Sequence, residues 1–336
     1  MPGDIYIFGY QSILAKGSLT STIGGDLHDS TWLAARLRNH QRTWTAVRDF
    51  TDHGSKRYVR TPDWQPAGRV AFANIEPAPN VHVNGICQRV HIDALADLDF
   101  REQGYSRVDV TEAIEPYPGM SLPTGARCHA YVDLAPSAAP ACISAHYYRM
   151  GEQGAAALSS RVPHFLQDYL ASTEAPGNRL DEALAFVYFS RDGRHLWLLN
   201  EPDSSLVLLL TCLDTQIGPV SCDPALNLAE FDRPITTGMM WLDLRHRQPR
   251  QPIPAAPSRM APELAQAIVD LPVTPLTKAI ESTHWLIRLA VTQRPDVSQA
   301  ALLALTADED AWVRRAALLR LTSRQNPPCS EDTQPS

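Results

Sequence analysis

Short apolar runs with a two-residue period, each closed by a turn, fill the first half of this chain and dictate sheet as its framework. The runs are Ile5–Phe8, Gln41–Val47, Gly68–Ile75, Gly85–His91, Ser106–Ile114 and Ala126–Val132. In one of them Val108 and Val110 alternate with Asp109 and Thr111, the pattern of a strand with one wet face. Helix is expected over Ile92–Gln103, with Asp93 as cap, Leu95 and Leu98 facing inward and Gly104 as the stop. Two more helices are expected near Ala141–Arg149 and Pro163–Ala171. The fold class is therefore α+β, a curled or barrel-like mixed sheet with short helices, rather than repeated βαβ units. Twenty-seven prolines in 336 residues keep regular helices few before the C-terminal part.

The character of the chain changes near Glu174-Ala175-Pro176-Gly177-Asn178. Strand-like runs follow at Leu184–Phe189, Leu196–Leu199 and Ser205–Leu213, joined by polar turns. The expected organisation is an α+β domain over 1–175, a β-rich extension over 176–244, a Pro-rich connector over 245–275, a helical module over 276–325 and a disordered tail over 326–336. Pro249, Pro252, Pro254 and Pro257, mixed with Arg245, His246, Arg247 and Arg250, mark the connector as extended. Within the helical module, Trp285-Leu286-Ile287-Arg288-Leu289-Ala290-Val291 aligns with Trp312-Val313-Arg314-Arg315-Ala316-Ala317-Leu318, and Asp308-Glu309-Asp310 stands where it would cap the second copy. The pattern resembles leucine-rich-variant or HEAT-like helical repeats. Two copies bury little core alone, which implies that they dock on the rest of the chain or on a protein partner.

Composition narrows the function classes. A net charge of −7 argues against nucleic acid as a partner. The most apolar run, Leu206–Leu213, is far shorter than the roughly 20 residues that span a bilayer. Met1-Pro2-Gly3-Asp4 carries no basic run and leads into a strand, so no signal peptide and no membrane partner are expected. Cys87, Cys128, Cys142, Cys212, Cys222 and Cys329 show no CxxC spacing and are expected as reduced thiols of a cytoplasmic protein. Scattered histidines without an HExxH lead to an expectation of no metal, and the lack of a GxSxG elbow, Walker loop or GxGxxG before a helix leaves the chemistries of those motifs without support.

One stretch bears on chemistry. Leu98-Asp99-Phe100-Arg101-Glu102-Gln103-Gly104-Tyr105-Ser106-Arg107-Val108 ends a short helix on a carboxylate and begins a strand at once. Upstream, Ile5-Tyr6-Ile7-Phe8-Gly9-Tyr10-Gln11-Ser12-Ile13-Leu14 runs a strand into a tight loop. Together the two segments resemble the signature regions of the gamma-glutamylcyclotransferase-like family, and softer matches extend the resemblance over residues 4–172. The family's loop reads Tyr-Gly-Ser-Leu or similar. Tyr10 and Ser12 match it, whereas Gln11 replaces the glycine and Ile13 the leucine or asparagine.

The resemblance implies an enzyme that cyclises a gamma-glutamyl group to 5-oxoproline, with release of an amine or amino acid. It implies a setting in glutathione metabolism, a transferase or lyase activity, and no cofactor. It implies Glu102 as general base, and substrate contacts from Tyr10, Gln11, Ser12, Ile13, Tyr105 and Tyr131. A carboxylate sheltered on one side suits the removal of a proton from an ammonium, and successive N–H groups in a tight turn suit a carboxylate or an oxyanion. If position 11 needs a positive φ, glutamine there costs about 1–2 kcal/mol; otherwise the loop is reshaped and the side chain fills part of the site. Two other functions fit the same residues. One is a non-catalytic binding or scaffold protein that works through the altered pocket and the helical repeats. The other is an amide-transfer relative acting on a bulkier metabolite.

Overall fold

The structure, a computed structural model, describes residues 5–14, 32–51, 56–102, 104–189, 196–199, 205–209, 239–243, 261–271, 273–294 and 296–325. The expected connector proper, the tail beyond Gln325 and the second half of the Leu206–Leu213 run lie outside the described residues. In chain order the strands are Ile5–Gly9 (β1), Trp32–Asp49 (β2), Lys56–Arg60 (β3), Gln65–Pro66 (β4), Arg69–Val90 (β5), Ser106–Asp109 (β6) and Ile114–Pro116 (β7). They continue with Arg127–Val132 (β8), Ile143–Ser144 (β9), Leu180–Asp181 (β10), Leu184–Phe189 (β11), Leu196–Leu199 (β12), Ser205–Leu209 (β13) and Met239–Asp243 (β14). The α-helices are Leu95–Arg101 (α1), Ala145–Ser159 (α2), Phe165–Ala171 (α3), Pro262–Asp270 (α4), Leu276–Ile280 (α5), Trp285–Val291 (α6), Gln299–Leu305 (α7) and Ala311–Gln325 (α8).

The chain divides into two units, residues 1–48 with 69–182, and residues 49–68 with 183–336. The first is α+β. Its six-stranded mixed sheet has the order β6-β8-β1-β5-β2-β7, in which β1 lies antiparallel to β5 and parallel to β8. The two-residue period distributes β1 over two cores: Tyr6, Phe8 and Tyr10 enter one, Ile7 the other. On the second face Ile7 and Ile86 meet Leu98 of α1, Ala155 of α2 and Phe165 and Tyr169 of α3. Both faces of β1 are thus covered, which places the residues just after it against helices.

Several expected elements differ in extent. Gly68–Ile75 and Gly85–His91 are one strand, β5, because Asn80 takes a left-handed φ of 64° and carries the chain round without breaking it. Asn39 does the same in β2 with φ 59°, and its side-chain oxygen accepts from Asn80 N at 3.2 Å. The Ser106–Ile114 run is instead cut after Asp109, whose carboxylate accepts from Thr111 N and Oγ1 and starts a 3-10 turn over Thr111–Ala113. The 3-10 turn Ile92–Ala94 that leads into α1 is capped by His91, which accepts from Asp93 N; α1 itself begins after Ala94 with no side-chain cap, so Asp93 does not cap it, and Leu98 is its fully buried position. Cys87, Cys128 and Cys142 are free thiols.

The second unit has its own sheet, β14-β13-β12-β11-β3-β4, and the helices α4 to α8. Residues 49–68 lie within the stretch expected as one domain, yet they supply β3 and β4 here, because β3 finds an antiparallel partner in β11. The core of this unit is organised by Arg57 of β3. Its guanidinium sits 4.7 Å from the Trp285 ring and 4.3 Å from the Trp312 ring, and grips Asp310 with Nη1–Oδ2 at 2.7 Å and Nη2–Oδ1 at 3.2 Å. Asp310 also accepts from Trp312 N at 2.9 Å, so it caps α8 in the position expected from sequence. The two tryptophans that align in sequence pack edge to face, with centroids 5.9 Å apart.

The Arg57 and Asp310 side chains are 1 % and 8 % exposed, so loss of the acid would strand a buried cation and uncap a helix. Asp310→Ala is expected to destabilise this unit by about 3–5 kcal/mol. Urea unfolding of the full chain followed by tryptophan fluorescence measures this; a change within about 0.5 kcal/mol, the range of neutral surface substitutions, would refute it.

Candidate active site

Glu102 is the C-cap of α1, with φ −93° and ψ 29°, and its N–H donates to Leu98 O at 2.9 Å. Its carbonyl accepts from Tyr105 N at 2.9 Å, so the chain turns sharply between helix and β6. Gly104 makes that turn possible with φ +92°, and a side chain there would also collide with Arg48. Arg48 holds the turn from the other side: Nη2 donates to Gly104 O at 2.5 Å, Nη1 pairs with Asp133 at 2.6 Å, and the guanidinium lies 5.0 Å from the Tyr105 ring. The helix stop expected at Gly104 therefore fixes the carboxylate two residues earlier. The Glu102 side chain is 19 % exposed and pairs with Arg101 at 2.9 Å.

Four phenols lie within electrostatic reach of this carboxylate. Burial raises the Tyr10, Tyr105, Tyr131 and Tyr147 hydroxyls above the ordinary tyrosine pKa, and the Glu102 charge pushes each of them further the same way. Tyr10 Oη donates to Tyr131 O at 2.7 Å and Tyr105 Oη to Ala73 O at 2.8 Å. Tyr147 is hydrogen-bonded to the backbone of the same Ala73. The hydroxyl of Tyr131 donates to Asp99 at 2.7 Å, one turn back on α1, and not to Glu102. Asp99 is paired in addition with Arg107 at 3.3 Å.

The turn after β1 is a 3-10 helix, Ser12–Leu14, closed by Leu14 N to Gln11 O at 2.9 Å. Ser12 is half-buried; Ile13 is buried and packs so tightly on Gly9 that a side chain there would overlap it. Gln11 does not take a positive φ, so the glutamine at this position carries no left-handed strain. Its side chain is buried and bonded at both ends of the amide: Nε2 donates to Tyr147 O at 3.1 Å and Oε1 accepts from Tyr169 Oη at 2.5 Å. Gly151 and Gly154 of α2 make room for it. A Cβ at 151 would overlap the Gln11 amide and the Tyr169 hydroxyl, and one at 154 would overlap Leu14. These glycines also explain why α2 runs ten residues past the expected Arg149: packing on the turn outweighs their weak helix propensity of about 1 kcal/mol each.

Behind the turn lies Arg42, fully buried. Its Nε donates to Tyr10 O at 2.7 Å, Nη2 to Asn84 O at 2.8 Å, and Nη1 to Tyr169 O at 3.2 Å and Thr173 Oγ1 at 2.5 Å. Burial pulls this guanidinium below its ordinary pKa, partly offset by the neighbouring phenols. Of the residues expected from sequence, the fold brings Tyr10, Tyr105 and Tyr131 into electrostatic reach of Glu102 and makes Gln11 and Ile13 packing elements of the turn. Tyr147, Tyr169, Arg42 and Arg48 were not expected at the site. A buried tyrosine on a helix reads as ordinary core, and only the paired arginine-glutamate of residues 101 and 102 is visible in sequence.

Among the described residues no group of three or more His, Cys, Asp and Glu is placed to hold a metal ion, and no helix is long and apolar enough to cross a membrane.

No known family's sequence pattern and no curated protein matches this chain. Solved structures are similar to about half of it. One is a gamma-glutamyl cyclotransferase, 17% identical over 53% of this chain and 94% of that one, with a TM-score of 0.36. Another is YkqA from Bacillus subtilis, 17% identical over 50% of this chain and 53% of that one, with a TM-score of 0.32. A third is an uncharacterized protein from Homo sapiens, 17% identical over 53% and 94%, with a TM-score of 0.34. Each is a protein that part of this chain is similar to, and none assigns it a chemistry.

Two outcomes check the geometry. Tyrosines held above their ordinary pKa contribute stability that is complete below about pH 10, where the unfolded phenol titrates, and is lost as pH rises beyond it. Absorbance at 295 nm in an alkaline titration should therefore show these phenols ionising together with unfolding; independent ionisation near pH 10 in the folded protein would contradict their burial. Gly151→Ala should cost about 1–3 kcal/mol of stability through overpacking against Gln11 and Tyr169, read from the urea midpoint.

Proposed function

We propose that this protein cyclises a gamma-glutamyl group to 5-oxoproline and releases the attached amine or amino acid, with Glu102 as the general base. The observation that supports it is a carboxylate of low exposure whose charge is felt by four buried tyrosine hydroxyls, that of Tyr10 at the start of the turn among them. In this reading Glu102 takes a proton from the substrate's α-ammonium, and the freed amine attacks the γ-carbonyl carbon of the same molecule. The ring closes, the γ-oxygen becomes an oxyanion, and N–H groups of the turn steady it. Collapse breaks the γ C–N bond. Two protons leave the attacking nitrogen and two arrive on the departing one, and Glu102 carries them and ends unchanged. No cofactor is required, because both reactants are in one molecule and a bent conformer supplies an effective molarity of roughly 10⁵ M or more.

Glu102→Gln keeps the shape and removes the base, so 5-oxoproline release should fall by about 10²–10⁴-fold with the melting temperature little changed. The assay is release from glutathione, gamma-glutamyl amino acids and gamma-glutamyl amines by the full chain. Equal turnover by the variant would remove Glu102 from the mechanism.

The buried amide of Gln11 favours a second reading, a binding protein whose turn has been given over to packing. In that case the wild type binds gamma-glutamyl compounds without consuming them. Its working surface would then be offered to a protein partner by the helices of the second unit.

A further inference from the structure

Three consecutive carbonyls in the turn between β3 and β4 accept from the starts of two helices, all within the second unit. Pro62 O accepts from Ala261 N, just before α4, at 2.9 Å. Asp63 O and Trp64 O accept from the adjacent rings of His284 and Trp285, through Nε2 and Nε1, each at 2.7 Å. Those two rings stack, with centroids 6.2 Å apart and planes at 25°. His284 is also the N-cap of α6: its backbone is extended, with φ −96° and ψ 118°, and Nδ1 accepts from Leu286 N at 3.2 Å. A backbone N–H only donates and a carbonyl only accepts, so Nδ1 is bare and Nε2 carries the proton. The contacts thus fix one tautomer of a neutral ring.

A second proton has only Nδ1 to go to. There it sets N–H against N–H, removes the cap acceptor and puts a cation at the positive end of a helix. The ring is held through both nitrogens, so it cannot turn away from Leu286 without giving up Asp63. We propose that His284 is a proton-operated latch: closed while neutral, it takes up one proton from solvent and frees the start of α6 from the β3–β4 turn. Among the described residues, the charged groups acting on the ring are Arg288 in α6, Asp63 in the turn and Asp310 before α8. Arg288 is itself met by Asp308 and Glu309 at 2.8 and 2.9 Å, and Arg57, over the Trp285 ring, by Asp310. Burial, the largest influence, and Arg288 oppose the proton, while Asp63 and Asp310 favour it; the balance holds the ring below an ordinary histidine. An opened ring therefore binds more protons than the closed one. The latch's contribution is complete above about pH 6.5 and is lost as pH falls below that. It is independent of the chemistry proposed for Glu102.

The test is hydrogen exchange of the full chain followed by mass spectrometry, read at a peptide covering Trp285–Val291, with each rate divided by the intrinsic rate at the same pH. Protection there should fall by at least about threefold from about pH 7 to about pH 5 in wild type. His284→Asn keeps a side-chain acceptor at the cap and takes up no proton, so its protection should be the same at both pH values. His284→Ser offers the same acceptor on a smaller side chain and is the readout if the asparagine variant does not fold. A merely structural cap would lower protection equally at both pH values and leave the pH dependence unmoved. Equal wild-type protection at the two pH values, or an undiminished acid loss in the variant, would overturn the latch.

Discussion

The first unit depends on one buried cation. Arg42 lies in the interior, and among the described residues its hydrogen-bond partners are carbonyls and hydroxyls rather than carboxylates. Those partners come from the turn after β1, from β5, and from the end of α3. Each bond to a charged donor is worth about 1.5–3 kcal/mol when made and leaves a buried carbonyl exposed to the full desolvation penalty when lost. The guanidinium thus sets the distance between three segments that are far apart in sequence. Since one of them is Tyr10, the same cation fixes the phenol that points toward Tyr131 and sits within the field of Glu102.

A carboxylate within electrostatic reach of four phenols has a particular character. The hydroxyls of Tyr10, Tyr105 and Tyr131 spend their protons on carbonyls and on Asp99, so they present Glu102 with fixed, dry surroundings rather than with strong donors. Glu102 itself pairs with Arg101, Nε to Oε1 at 2.9 Å.

What the sequence discloses is what is local. Glu102, Gly104 and Tyr105 lie within one turn, so their relation follows from a helix stop and the start of a strand. Tyr10 and Ser12 are legible for the same reason. Asp310 is legible as a cap because capping spans three residues. Long-range partners are not: Arg57 meets Trp285 and Trp312, and Tyr105 meets Ala73, only because sheets bring distant strands together. The bend at Asn80 is hidden too, since asparagine in a left-handed conformation marks a turn and a bent strand equally well.

Gln11 shows why a departure from a resembled pattern has to be judged in three dimensions. Its amide spends its acceptor on the Tyr169 hydroxyl and a donor on the Tyr147 carbonyl, joining the turn to α2 and α3 at once. A glycine in its place would leave that phenol without its acceptor in a dry interior, at about 1–3 kcal/mol. Gly151 supplies the space the amide needs, so residues 11, 151 and 169 form a set in which each choice explains the other two. The set lies on the side of the turn facing the helices. Glu102 is held by Gly104, Arg48 and Arg101, whereas the Gln11 amide bonds Tyr147 and Tyr169. The substitution at position 11 therefore bears on how the turn is bolted down, while the position of the carboxylate is set by the turn at Gly104.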